Sequence, residues 1–244
     1  MTWQELKQAA TEGYLLILPV GSTEQHGPHL PLSTDVIIPS EIAKAMASKM
    51  KAVVAPAIRY GYYSRPKSGG GENFPGTTSI SASTLIQTIK EVMREFIRHG
   101  FRKFLLLNGH YENTAILPEG VETAIAESGK DVRVAIMTWG DVITSEHLTK
   151  IYAGKFPGWE IEHAAVMETS VMQYLRPDLV RSDKLPDESV KRIVNYEIIP
   201  APPDTITTVG SLWSAREASK EKGRYIFDIV VDGLVKTVKK DLEI

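Results

Sequence analysis

Apolar residues follow two patterns along the chain, short unbroken runs and longer stretches spaced three and four apart. Tyr14 to Val20 (YLLILPV) is an unbroken run, the pattern of a strand buried on both faces. Ala52 to Ile58, Phe104 to Leu107 and Val132 to Thr138 read as three further strands. Leu85, Ile86, Ile89, Val92, Met93, Phe96 and Ile97 keep helical spacing, which predicts a helix over 85–99 that Gly100 stops. Thr2-x-x-Glu5 reads as a capping box opening a helix that ends near Gly13. A second such box, Ser214-x-x-Glu217, predicts a last helix running towards Leu242. Further helices are expected from Asp35 towards Met50, over 118–128 and over 163–175. Strand and helix alternate, so the expected class is α/β, one domain over 1–244 with a mostly parallel sheet and helices on both faces.

Two stretches break the pattern. Residues 59–79 and 177–212 are long and rich in Gly, Pro and Ser, yet carry aromatic and apolar residues throughout. Long ordered loops of this kind tend to be functional rather than linkers.

Composition narrows the function. A chain of 244 residues with 43% hydrophobic residues can bury a sizeable core. A formal net charge of -2 argues against nucleic acid or an anionic membrane as the main partner. No run approaches the roughly 20 apolar residues a membrane span needs, and the N-terminus does not read as a signal peptide. The expectation is a cytoplasmic enzyme. With no cysteine, any metal must be held by nitrogen and oxygen ligands.

The candidate chemistry lies just past two of the strands. The first runs into GSTEQHGPHLPLSTD, where Glu24 and His26 share a face if the extended chain persists. The third runs into NGHYEN, where His110 and Glu112 repeat the spacing in mirrored order. Asp35 stands at the start of the helix after the first motif. Taken singly, each of Glu24, His26, His110 and Glu112 reads better as a capping or surface residue of an ordinary loop. Two pairs, each directly after an apolar strand, point instead to a shared crevice at the carboxyl edge of the sheet. Two imidazoles and three carboxylates suit two divalent ions such as zinc or manganese, with Asp35 as the bridge.

Other residues leave two readings open. His163 and Glu168, in EHAAVMETS, are either a proton shuttle with its orienting carboxylate or the polar face of an amphipathic helix. Ser68 with Gly69, Gly70 and Gly71 lacks the Walker pattern, so the run suits close backbone approach to a small substrate, or a lid. Trp139 and Trp159 are candidate walls for a flat ring, or core residues. His29 is read as structuring its loop, His99 as closing a helix and His147 as a surface residue.

GSTEQHGPHLPLSTD, YGYYSRPKSGGGENFPGTTS, RHGFRKFLLLNGHYEN and GWEIEHAAVMETS together resemble the creatininase family. The similarity runs from Leu18 to the final helix and is weakest over 180–203. It implies a three-layer α/β/α fold, a homohexamer, and metal-dependent hydrolysis of a small cyclic amide. One metal would be held by Glu24, Asp35 and His110, the other by His26, Asp35 and Glu112. Ser68, Tyr111, Trp159 and His163 match substrate-contacting positions, Trp139 a residue that closes over the substrate, and Glu168 an active-site carboxylate. Glu160 stands where the creatinine-opening members have an aspartate, and 28–33 follows the general family pattern. Hydrolysis of another small ring (a keto-cyclitol) or of a pyrimidine formamide is therefore the alternative within the family. A metal-stabilised binding module without chemistry is the alternative outside it.

Overall fold

The structure is a computed structural model that describes residues 1–69, 71–194 and 196–244. Helix α1 (Trp3–Thr11) leads into strand β1 (Leu15–Val20), helix α2 (Thr34–Ala47) and strand β2 (Ala52–Val54). The short helix α3 (Pro66–Gly69), helix α4 (Ala82–Arg98), strand β3 (Lys103–Asn108), helix α5 (Leu117–Ser128) and strand β4 (Arg133–Thr138) follow. Helices α6 (Ser145–Tyr152), α7 (Val166–Leu175) and α8 (Lys220–Asp241) complete the order.

The strands form one parallel sheet in the order β2-β1-β3-β4. Side chains alternate across it, as strand geometry requires. Leu15, Ile17, Leu105 and Leu107 pack with Ile38, Ile42, Met172 and Val230 of α2, α7 and α8. Leu16, Leu18, Phe104 and Leu106 pack on the other side with Ala9, Ile89, Met93 and Val121 of α1, α4 and α5. This is the expected α/β/α sandwich.

Register places the site. Val20 pairs with Asn108 and Asn108 with Thr138, so three strands end level. The residues that follow each of them, including His110 and Trp139, therefore emerge at one edge of the sheet.

Several elements differ from the sequence reading. Strand β2 stops at Val54, and beyond it only an isolated bridge joins Ile58 to Val20. Pro56 offers no N–H to continue the ladder. Helix α6 went unread; Thr144 caps it by accepting from the His147 amide, and His147 Nδ1 accepts from the Thr144 amide. Helix α7 starts at Val166 rather than His163, because Ala164 takes a left-handed φ of 52°. The Ser214 box does not form. Helix α8 begins at Lys220 with Ser219 as its cap, while the Ser214 hydroxyl donates to Asp187. Gly70 of the glycine run lies outside the described residues.

Candidate metal centre

Glu24 and His26 do come together, their ligand atoms within 4.8 Å of each other and of His163. Each also enters one of two neighbouring clusters that meet at Asp35. In the first, His110 Nδ1 lies 2.9 Å from Glu24 Oε2 and 3.1 Å from Asp35 Oδ2. In the second, His26 Nε2 lies 3.0 Å from Asp35 Oδ1 and 3.7 Å from Glu168 Oε1. Each oxygen of one aspartate therefore faces a different imidazole. Ligand atoms of Glu24, Asp35 and His110 lie within 4.8 Å of one another, as do those of His26, Asp35 and Glu168.

Glu112, expected beside His26 and Asp35, is not among the residues whose ligand atoms lie within 4.8 Å of theirs. Glu168, in the first turn of α7, takes the third corner. Its other oxygen accepts from the Ala164 amide at 2.6 Å, which fixes the carboxylate. Glu112 stands on the far side of His110, with Oε2 3.4 Å from Nε2. Its Oε1 accepts from the Arg65 amide and the Ser68 hydroxyl, each at 2.7 Å.

The donor set fits divalent cations. All the residues of the two clusters are buried, and oxygen and nitrogen ligands suit zinc or manganese. His26 Nδ1 sits 3.1 Å from the Glu24 carbonyl, which can only accept, so Nδ1 carries the hydrogen. Nε2 is then the atom left facing the Asp35 and Glu168 carboxylates. Its approach to Asp35 is close but not aligned as a hydrogen bond, and it has no hydrogen-bond partner among the described residues. Acceptors converging on one another in a buried space call for a positive charge between them.

The titration behaviour gives the same picture. Burial alone would lower the His26 imidazole, but Asp35 and Glu168 reverse this and hold it well above its usual range. For His110, Glu112 and Glu24 likewise overcome burial. Burial pushes Glu24 up to about 8 against the pull of His110. Asp35 resists burial and stays low, because His26 and His110 flank it. Protons are thus drawn to the positions a cation would fill.

Above the clusters opens a cavity of about 600 Å³. Glu24, Asp35, His110, His163 and Glu168 line it together with Ser68, Tyr111, Glu112, Trp139, Trp159 and Glu160, whereas His26 and Gly71 do not. The two tryptophans differ in setting. Trp139 is 6% exposed and packs into the core, whereas Trp159 is 45% exposed at the rim. Trp159 fills the space a Cβ on Gly140 would need, its ring 3.2 Å from that position, and meets Phe156 edge-on with ring centroids 5.2 Å apart. Tyr111 is 61% exposed.

His163 is buried beside the clusters, its ring 4.4 Å from that of His26. Burial, and then the His26 charge, hold it well below the usual imidazole range, which favours the neutral ring. Its Nε2 lies 3.0 Å from both the backbone oxygen and the side-chain nitrogen of Gln25. It belongs to no amphipathic face, since the helix starts three residues later.

Sequence reading missed some of the residues that support this site. Ser64 is buried and its hydroxyl donates to Glu24. Gln25 holds His163 and also donates to the Gly210 carbonyl at 3.1 Å. Glu162 accepts from the Tyr152 hydroxyl and from the Met167 amide, and burial raises it to about 7. Gln25 and Glu162 sit inside motifs already singled out, and adjacency to His26 and His163 was their only signal. His29 bonds Thr169 at 2.8 Å, tying its loop to α7 as expected of a structuring residue.

Comparison with known proteins agrees with this geometry. The family model for creatininase, described as creatinine amidohydrolase, matches residues 1–238. Creatinine amidohydrolase of Pseudomonas putida is 38% identical, covering 99% of this chain and 95% of its own length. Solved creatininase structures at the same 38% identity superpose with a TM-score of 0.95, covering 99% of this chain and 96% of theirs. One is a manganese form, one a Zn–Zn type, and one a mutant complexed with creatine. The mycofactocin precursor peptide peptidase of Mycolicibacterium smegmatis is 29% identical and covers 93% of this chain and 85% of its own length, so relatives include other hydrolases. The reading as a binding module without chemistry does not survive these matches. The level strand ends, the two buried clusters and the near full-length match lead to one conclusion: the chain belongs to the creatininase family and is a metal-dependent amidohydrolase of that family.

Proposed function

We propose that this chain opens a small cyclic amide by hydrolysis, with creatinine to creatine as its reaction. The observation that carries the reading is the position of the buried nitrogen and carboxylate clusters directly under a cavity bordered by two indoles. Glu24, Asp35 and His110 would hold one divalent ion, and His26, Asp35 and Glu168 the other, as zinc, manganese or both. When bound, such ions activate water and polarise the amide carbonyl.

The chain's own residues supply the rest. Ring opening breaks a carbonyl carbon–nitrogen bond, adds the elements of water, and leaves a carboxylate and an N–H. The leaving nitrogen therefore needs a proton as it departs. His163, neutral and next to His26, takes the proton released from water and delivers it to that nitrogen. Gln25 holds its ring in place. Trp159 at the rim and Trp139 beneath offer apolar faces to a flat ring and exclude water from it. Ser68, Tyr111 and Glu160 border the same space and can address the polar edge of the ring. Glu112 orients Ser68 through its 2.7 Å hydrogen bond and backs His110.

A keto-cyclitol, puckered and covered in hydroxyls, would turn no flat apolar face to the two indoles that border this cavity. The homohexamer that the family implies belongs to the same reading, and sedimentation velocity tests it. The test of function is a substrate panel for metal-loaded protein: creatinine, a cyclitol ketone, a pyrimidine formamide and a short peptide. Creatinine should be opened fastest. Turnover of another member with creatinine untouched would overturn the substrate and leave the metal hydrolase standing.

A further inference from the structure

Two glycines that follow strand ends press on the backbone of the residue both clusters share. Gly21 follows β1 and Gly109 follows β3, and the Gly109 amide donates to the Val20 carbonyl at 2.8 Å, which holds the two strand ends together. A Cβ on Gly109 would lie 2.1 Å from the Asp35 carbonyl oxygen and 2.7 Å from the Pro39 ring. A Cβ on Gly21 would lie 2.4 Å from the same oxygen and 2.9 Å from the Val36 Cα. Non-bonded carbon contacts settle at about 3.5 Å, so either side chain would push the start of α2 back by roughly 1 Å. Neither glycine has a left-handed φ, so contact rather than backbone conformation demands glycine here.

Pro39 completes the arrangement. It lies inside α2, four residues after Asp35, where an ordinary residue would donate its N–H to the Asp35 carbonyl. Proline has no N–H, and its ring crowds that carbonyl away from the helix axis. The Asp35 carbonyl is thus turned out of the helical ladder and into the gap that the two glycines leave.

We infer that Gly21, Gly109 and Pro39 are positioning residues that set the Asp35 backbone, and through it the placement of both metal sites together. An aspartate has one methylene, so its carboxylate follows its backbone with little slack. Asp35 reaches His26 with one oxygen at 3.0 Å and His110 with the other at 3.1 Å, so a backbone shift of roughly 1 Å disturbs both contacts at once. This inference rests on the metal reading of the site.

The test is calorimetric titration of metal-free protein with Zn²⁺ and Mn²⁺, with folding followed by circular dichroism. Wild type is compared with Gly109→Ala, Pro39→Ala and Gly120→Ala. Gly120 is a matched control, because its Cβ would lie 2.9 Å from both the Ile86 carbonyl and the Ile89 Cβ on the opposite face of the sheet. Gly109→Ala should lose at least tenfold in affinity at both sites. Gly120→Ala should melt lower yet bind both ions as wild type does. Pro39→Ala, which any helix accommodates, should keep its melting temperature and lose about tenfold at both sites. This keeps the inference testable even where Gly109→Ala does not fold. Wild-type affinity in Pro39→Ala, or loss at one site alone in either variant, overturns the positioning role. A wild type that binds no ion overturns the metal reading, and this inference with it.

Discussion

Glu168 and His26 come from segments more than a hundred residues apart, yet Glu168 Oε1 lies 3.7 Å from His26 Nε2 with Asp35 beside them both. This relationship moves Glu168 from the margin of the site to its centre. It also gives Glu112 a different task, holding Ser68 and the Arg65 amide.

The two carboxylates should therefore separate on substitution. Glu168→Gln should weaken metal binding at one site by roughly 10–100-fold, as loss of a ligand or its support commonly does. Glu112→Gln should affect turnover more than metal content. Metal analysis of both purified variants after dialysis against a weak chelator decides this, and equal metal loss in the two would undo the distinction.

His163→Asn should retain both ions and lower turnover by about 10²–10⁴-fold, the range typical of a lost general acid–base. The neutral, buried His163 beside His26 motivates this. Metal loss in proportion to activity would make His163 a ligand instead.

How much of this was legible in sequence depends on how local each signal is. The YLLILPV run and the helical spacing from Leu85 to Ile97 are each contained within one element, and β1 and α4 formed where expected. Glu24, His26, Asp35, His110 and Glu112 were singled out because each pair follows a strand, and sheet register brings strand ends together. Which carboxylate completes which cluster is a different matter. It depends on how α7 docks beside α2, a long-range packing result with no imprint on the spacing within either motif. The Ser214 box misled because a capping signal is only four residues long, and Ser219 with Lys222 satisfies the same chemistry closer to the helix.

His29 supplies a pH prediction. Burial, then the His26 charge, lowers this imidazole from 6.5 to about 4. The folded state thus resists a proton that the unfolded chain accepts. The stability this contributes is complete above pH 6.5 and drains away as pH falls towards 4. Replacement by the non-titrating His29→Gln should flatten the fall in melting temperature between about pH 6.5 and 4. An unchanged slope would show that His29 is not the group responsible.

Trp159→Ala should raise KM for creatinine more than it lowers kcat, because the rim indole offers a face to the ring and takes no part in proton transfer. Aromatic contact beyond area burial is worth about 0.5–1.5 kcal/mol, so a severalfold to roughly tenfold rise is expected. An unaltered KM would remove Trp159 from the substrate wall.

The central claim is that one aspartate joins two buried ion sites. It is tested most directly by titrating metal-free protein and its Asp35→Ala variant with Zn²⁺ and counting ions bound per chain. The account predicts two ions for the wild type and loss of both sites in Asp35→Ala, with the fold retained. Two tightly held ions in Asp35→Ala, or none in the wild type, would contradict it.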